Sequence, residues 1–133
     1  MRLAGYASIF DTPDSGGDIV RRGAFASETG KRLPLLWQHE VGEPIGFIES
    51  LSEDNRGLRV VARVADTRRG LDASLLLRAG ALDGLSFGYR VRASRPGRGV
   101  RELTDLDLLE VSLVTFPMQR AARVIAFETG ENA

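Results

Sequence analysis

The chain has 133 residues, no cysteine and one histidine, and its 18 basic residues balance 18 acidic ones to a formal net charge of zero. That length predicts one domain, and 43% apolar residues suffice for a packed core and are too many for a disordered chain. The composition excludes disulfides, thiol nucleophiles, thiolate metal centres and multi-histidine zinc sites within one chain, and neutrality removes the electrostatic case for nucleic acid as a partner.

Residues 2–10 (RLAGYASIF) read as a strand and DTPDSGGD at 11–18 as a loop. Ile19 and Val20 form a short extended piece, and AFASETG at 24–30 a short helix ending at Gly30. LPLLWQH at 33–39 is an apolar run opened by Pro34, which a strand tolerates at its start. Residues 45–51 and 58–64 flank the turn SEDNRG and predict a hairpin. In its first arm Ile45, Phe47, Glu49 and Leu51 alternate with Gly46, Ile48 and Ser50. In its second, Leu58, Val60, Ala62 and Val64 alternate with Arg59, Val61 and Arg63.

Residues 68–79 predict a helix stopped by Gly80, with Leu71 and Leu75 sharing one face. Along 85–92 one face carries Leu85, Phe87, Tyr89 and Val91, and the other Ser86, Gly88, Arg90 and Arg92. RPGRG at 95–99 turns the chain into a long β-prone stretch, 100–115, bent near Asp105–Asp107. Its second half places Leu108, Glu110, Ser112 and Val114 on one side. Residues 120–127 continue as a helix or a final strand, and 128–133 as a disordered tail. About seven strands joined by hairpin-like turns, with two or three short helices, predict a mostly β fold: an antiparallel barrel or sandwich with helices outside. No run approaches the ~18 apolar residues of a membrane span, and Asp11 and Asp14 interrupt any signal-peptide pattern. A soluble cytoplasmic protein without a membrane partner is expected.

Seventeen arginines stand against one lysine, Lys31. Arginine forks recognise carboxylate and phosphate, but their dispersal along the chain favours a GC-rich coding sequence as the reason. GLSFG at 84–88 matches G-x-S-x-G letter for letter. The α/β-hydrolase elbow, however, needs a helix after the serine and a histidine later in the chain. Here a strand follows Ser86, and His39 precedes it. Flanking glycines still give Ser86 close approach from backbone and substrate; it is either a nucleophile or an ordinary strand serine. His39, the only imidazole, ends an apolar run and is either a base or a surface residue. Glu110 lies among apolar neighbours, where an unpaired carboxylate is costly. It needs an imidazole N–H or an arginine. Ser112 is a weaker nucleophile candidate on the same strand face. Asp11, Asp14 and Asp18 depart from the calcium-loop spacing and lack its closing glutamate, so no metal is expected. Without a G-x-x-x-x-G-K-[ST] segment, no nucleoside triphosphate cofactor is expected either.

Several stretches together resemble the prohead (head maturation) proteases of tailed phages and related gene-transfer particles. They are GYASIF at 5–10, DSGGDIVRRGAF at 14–25, LPLLWQHE at 33–40, PIGFIESLSEDNRGLRV at 44–60, LLRAGALDGLSFGYRV at 76–91 and LDLLEVSLVTFPM at 106–118. The resemblance implies a protease domain over 1–127 with the fold of herpesvirus assemblin, a closed antiparallel barrel of about seven strands surrounded by helices. It implies a serine endopeptidase that cleaves scaffold segments, capsid-protein extensions and itself inside the immature capsid, with Ser86 as nucleophile, His39 as base and Glu110 as the third member. It also implies a homodimer. Oxyanion donors are sought among backbone N–H groups near Gly88 and in Arg120. The alternative is a catalytically inactive capsid-assembly module of the same fold.

Overall fold

A computed structural model of the chain describes residues 1–129. Its strands are β1 (Arg2–Ile9), β2 (Asp18–Val20), β3 (Pro34–Trp37), β4 (Glu40–Glu53), β5 (Gly57–Val64), β6 (Gly84–Pro96), β7 (Arg101–Val114) and β8 (Val124–Glu128). Between β5 and β6 lies one helix, α1 (Arg68–Arg78). The helix expected over 24–30 shrinks to a 3-10 turn, Ala26–Glu28. Residues 120–127, left open between helix and strand, contain the start of β8. The tail expected at 128–133 begins with Glu128, the last residue of β8; residues 130–133 lie outside the described residues.

The strands form one sheet in the order β2–β7–β3–β4–β5–β1–β8, with β6 paired along the other edge of β7. Most neighbours are antiparallel, but β2 and β3 both run parallel to β7, at its start and its end. The closed barrel expected from the resemblance is not made by continuous strand pairing. Among the described residues, the backbone links between the two ends of the curled sheet are the isolated bridge between Gly84 and Arg123 and two bonds, Leu85 N to Ala122 O and Val124 N to Asp83 O. The reason lies in residues 115–123, which turn instead of extending. The side chain of Gln119 pins them by accepting from Ile9 N and donating to Ile9 O and Thr12 O.

The core is aliphatic, drawn from every strand but β8, and organised under β6 by aromatic rings. Phe25 is fully buried. It stacks on Phe10 and meets Phe87 edge-on with centroids 5.3 Å apart, and Phe87 contacts Tyr89 at 4.9 Å. Burying a ring of this size contributes about 2–3 kcal/mol, and here it fixes the inner face of β6. The alternation predicted for 85–92 therefore holds through Leu85, Phe87 and Tyr89, which face inward, and fails at Val91, which is exposed where β6 leaves the core.

Helix α1 is capped by Thr67, whose side chain accepts from Gly70 N at 2.9 Å. It packs through Gly70, Ala73 and Leu77, while Leu71 and Leu75 are 49% and 59% exposed. A Cβ on Gly70 would lie 2.1 Å from Ala65 O and 2.9 Å from Thr67 Oγ1, so the turn that leads into the helix has no room for a side chain there. In β4 the inward residues are Ile45, Ile48 and Leu51, because two register shifts, one against β3 at Ile45 and one against β5 between Ile48 and Ser50, break the simple alternation; Phe47 is left half-exposed.

Candidate active site

The site is built on the ladder between β6 and β7. Tyr89 pairs with Leu108 but Gly88 pairs with Glu110, so Leu109 is an extra residue on β7. This bulge changes the phase of the strand. Before it, Leu106 and Leu108 face the core; after it, Val111 and Leu113 do. Leu108 therefore does not share a face with Glu110, contrary to the plain alternation read from the sequence. The outer face gains Glu110 and Ser112, set directly opposite Gly88 and Ser86. Opposed residues of an antiparallel pair carry their Cβ atoms about 4.5–5.5 Å apart, so Ser86 and Ser112 are immediate neighbours.

His39 arrives from the other edge of β7. Strand β3 pairs Leu36 with Ser112 and Trp37 with Leu113. The hairpin between β3 and β4 then turns over Gln38 and His39, both with left-handed backbone at φ 51° and 62°. Such non-glycine residues cost about 1–3 kcal/mol each and persist where surrounding contacts impose them. His39 Nδ1 lies 2.5 Å from Glu110 Oε1. Ser112 Oγ donates to Glu110 Oε2 at 2.7 Å and accepts from His39 N at 3.0 Å. An ionised carboxylate only accepts, so the hydrogen sits on Nδ1 and Nε2 is left to accept a proton. The imidazole is 40% exposed and Glu110 nearly buried.

Ser86 is 4% exposed, and its hydroxyl makes no hydrogen bond among the described residues. Among those residues the only buried side-chain oxygen without a partner is Ser8 Oγ, so the unpartnered Ser86 hydroxyl still reaches solvent. Ser112, fully buried and bonded on both sides, is a connector and not an open nucleophile. The structure thus joins His39, Glu110 and Ser112 by hydrogen bonds and adds Ser86 through strand register. Arg120 lies exposed in the turn after β7, with no ion pair of its own among the described residues. The second glycine of GLSFG has a steric reason: a Cβ at Gly88 would lie 2.5 Å from Glu110 Oε1 and 3.1 Å from its Cδ. The carboxylate lies across the bare backbone of β6.

The loop acids are committed to the protein itself. Asp11 pairs with Arg21, and Asp14 Oδ1 accepts from Gly16 N and Asp18 N. Arg101 grips Asp18 with two bonds of 3.0 Å, which hold its carboxyl below the usual range, and burial raises the Tyr89 phenol beside it. No group of three or more metal-ligating side chains gathers among the described residues. A second anchor is the buried Glu28. Burial alone would raise its pKa, but Leu108 N, Lys31 and Arg92 bring it down to about 2. Sequence reasoning missed Gln119, the connecting role of Ser112 and the packing of the Glu110 carboxylate on Gly88. Of these only Gly88 left a signal, as the last letter of GLSFG.

Comparison with known proteins agrees with this architecture. The family model described as caudovirus prohead serine protease matches residues 1–133. The chain is 32% identical over 136 residues to the prohead protease of Enterobacteria phage HK97, covering 94% of this chain and 59% of that protein. It is 26% identical over 137 residues to the capsid polyprotein of Pseudomonas phage PAJU2, covering 96% of this chain and 20% of that one. It therefore spans little more than half of the first relative and a fifth of the second. Among solved structures, KSHV protease in complex with a hexapeptide phosphonate inhibitor aligns at TM-score 0.67 and 14% identity, over 93% of this chain and 63% of that one. Varicella-zoster virus protease aligns at 0.59 and 16%, over 92% and 62%. Both likenesses show a shared fold.

Proposed function

The chain belongs to the caudovirus prohead serine protease family, and from that premise we propose that it is a serine endopeptidase of capsid maturation. Its substrates on this reading are scaffold segments and extensions of the major capsid protein, cleaved inside the immature capsid. The observation that carries the proposal is the His39–Glu110 pair set beside an unpartnered Ser86 on the same outer face.

In this mechanism Ser86 Oγ attacks the scissile carbonyl carbon while His39 Nε2 takes the hydroxyl proton. Glu110 accepts from Nδ1–H, keeps the imidazole in the useful tautomer and stabilises the imidazolium. The tetrahedral adduct collapses by breaking the C–N bond, and His39 returns its proton to the leaving amine. Water then attacks the acyl–Ser86 ester with His39 again as base, releasing the acid and restoring the serine. Apo geometry without a serine–histidine hydrogen bond is compatible with this sequence, since such bonds tighten in the substrate complex.

The test is cleavage of the capsid-protein precursor by purified protein. Ser86→Ala and His39→Ala should each lose roughly 10³-fold or more in kcat/KM, while circular dichroism and the melting temperature stay near wild type. Retained cleavage by Ser86→Ala removes the proposal. A homodimer is part of the same reading, and light scattering on the purified chain tests it.

A further inference from the structure

The turn that presents His39 is an unusual choice of residues. Two successive central residues with positive φ mark the type I′ hairpin turn, for which Asn-Gly is the favoured pair. This chain places Gln38 and His39 there. What imposes the conformation is the end of β7. Gln38 N donates to Leu113 O at 3.0 Å. The Gln38 amide is held twice by one residue, its Nε2 donating to Thr115 Oγ1 at 2.8 Å and its Oε1 accepting from Thr115 N at 3.1 Å. His39 N donates to Ser112 Oγ, and the same hydroxyl donates to Glu110 Oε2.

Resting on the catalytic reading above, we propose that Gln38 and Ser112 are positioning residues that hold the His39 imidazole against Glu110. The polar groups that fix the base then come from one stretch of chain, Glu110 to Thr115, at the end of β7 and just beyond it. Ser112 ties the backbone of the base to the carboxylate that orients its ring, so the two cannot drift apart independently. Gln38 prevents the turn from relaxing to a conformation that would swing the ring off β7. Stability does not require glutamine at this place, since glycine adopts φ near 51° without steric penalty. Glutamine is explained by the Thr115 clamp.

The single histidine makes the test clean. In protein labelled with ¹⁵N-histidine, the wild-type imidazole should give one set of signals with the hydrogen on Nδ1. Gln38→Gly should fold with an undiminished melting temperature, yet show a mixture of tautomers. Its maximal rate of reaction with a fluorophosphonate should fall about tenfold or more, with the concentration for half-maximal rate unchanged. Ser112→Ala should show the same mixture of tautomers and the same fall in rate, with a lower melting temperature because His39 N and Glu110 Oε2 lose their partner, and Ser112→Thr, which keeps the hydroxyl, should recover the Nδ1–H tautomer. An unchanged tautomer and an unchanged rate in Gln38→Gly and Ser112→Ala overturn the proposal. So does a rate loss in Gln38→Gly that only follows a loss of folding. Tautomer loss in the variants, with no labelling of any protein, would uphold the positioning roles and count against the catalytic reading instead.

Discussion

Replacing Gly88 by alanine separates the site from the fold. The added Cβ would lie 2.5 Å from Glu110 Oε1 and 3.1 Å from Cδ and Cγ, against about 3.5 Å for ordinary contact. The obstacle is a side chain's far end, so the carboxylate yields and the backbone does not. A retreat of about 1 Å takes Oε1 out of hydrogen-bond reach of His39 Nδ1, and a misplacement of that size costs about 10²-fold. The lost transition-state stabilisation is then about 2.7 kcal/mol. Folding should gain, because alanine in a strand avoids about 0.5–1 kcal/mol of glycine's entropy cost. The assay is the fluorophosphonate reaction rate with capsid-precursor cleavage, beside thermal unfolding. Wild-type rates in Gly88→Ala would refute the reasoning. A double variant with Glu110→Ala completes the test: it should be no slower than Glu110→Ala alone, because both act through one carboxylate. Additive losses would mean that the methyl group obstructs substrate instead.

Other consequences follow from the same contacts. Glu28 has its carboxyl lowered from 4.5 to about 2, so its contribution to stability is complete above pH ~4.5 and is lost as pH falls toward 2. Urea unfolding should show about 2 kcal/mol of this loss between pH 6 and pH 3, and Glu28→Gln should lack it. Gln119→Ala leaves Ile9 N and two carbonyls without their partner; it should destabilise by about 2 kcal/mol in denaturant titration. Glu110→Gln keeps the shape of the side chain but weakens the grip on Nδ1–H. Its kcat/KM should fall by about 10²-fold, less than for Ser86→Ala, and an equal or larger loss would give Glu110 more than an orienting part.

Much of the fold was legible because long strands with one buried face write their period into the chain. The 58–64 arm and the first half of the 85–92 strand show this, with Leu58, Val60, Ala62 and Leu85, Phe87, Tyr89 inward as read, whereas Val91 is exposed. Where the phase changes, the sequence misleads. The bulge at Leu109 and the shift after Ile48 are single-residue insertions in the ladder, and no residue type announces them. The helix shows a different limit. A Leu71–Leu75 stripe looks like a core face, but the helix buries Gly70, Ala73 and Leu77 instead. For the site, Ser86, His39 and Glu110 could be named from residue type and resemblance. The connecting part of Ser112, which the sequence offers only as a weaker nucleophile, and the part of Gln38 could not, because both depend on which strands flank β7, and parallel pairing of β3 with β7 is a tertiary fact. Barrel closure also escaped, since it turns on how Gln119 folds residues 115–123.

The central claim, that Ser86 is a nucleophile activated by His39, is tested most directly by intact mass after fluorophosphonate treatment. The account predicts a single adduct on wild type, none on Ser86→Ala and a labelling rate reduced roughly 10³-fold on His39→Ala. An adduct that persists on Ser86→Ala, or a wild-type protein that stays unlabelled both alone and with the capsid precursor present, would contradict it.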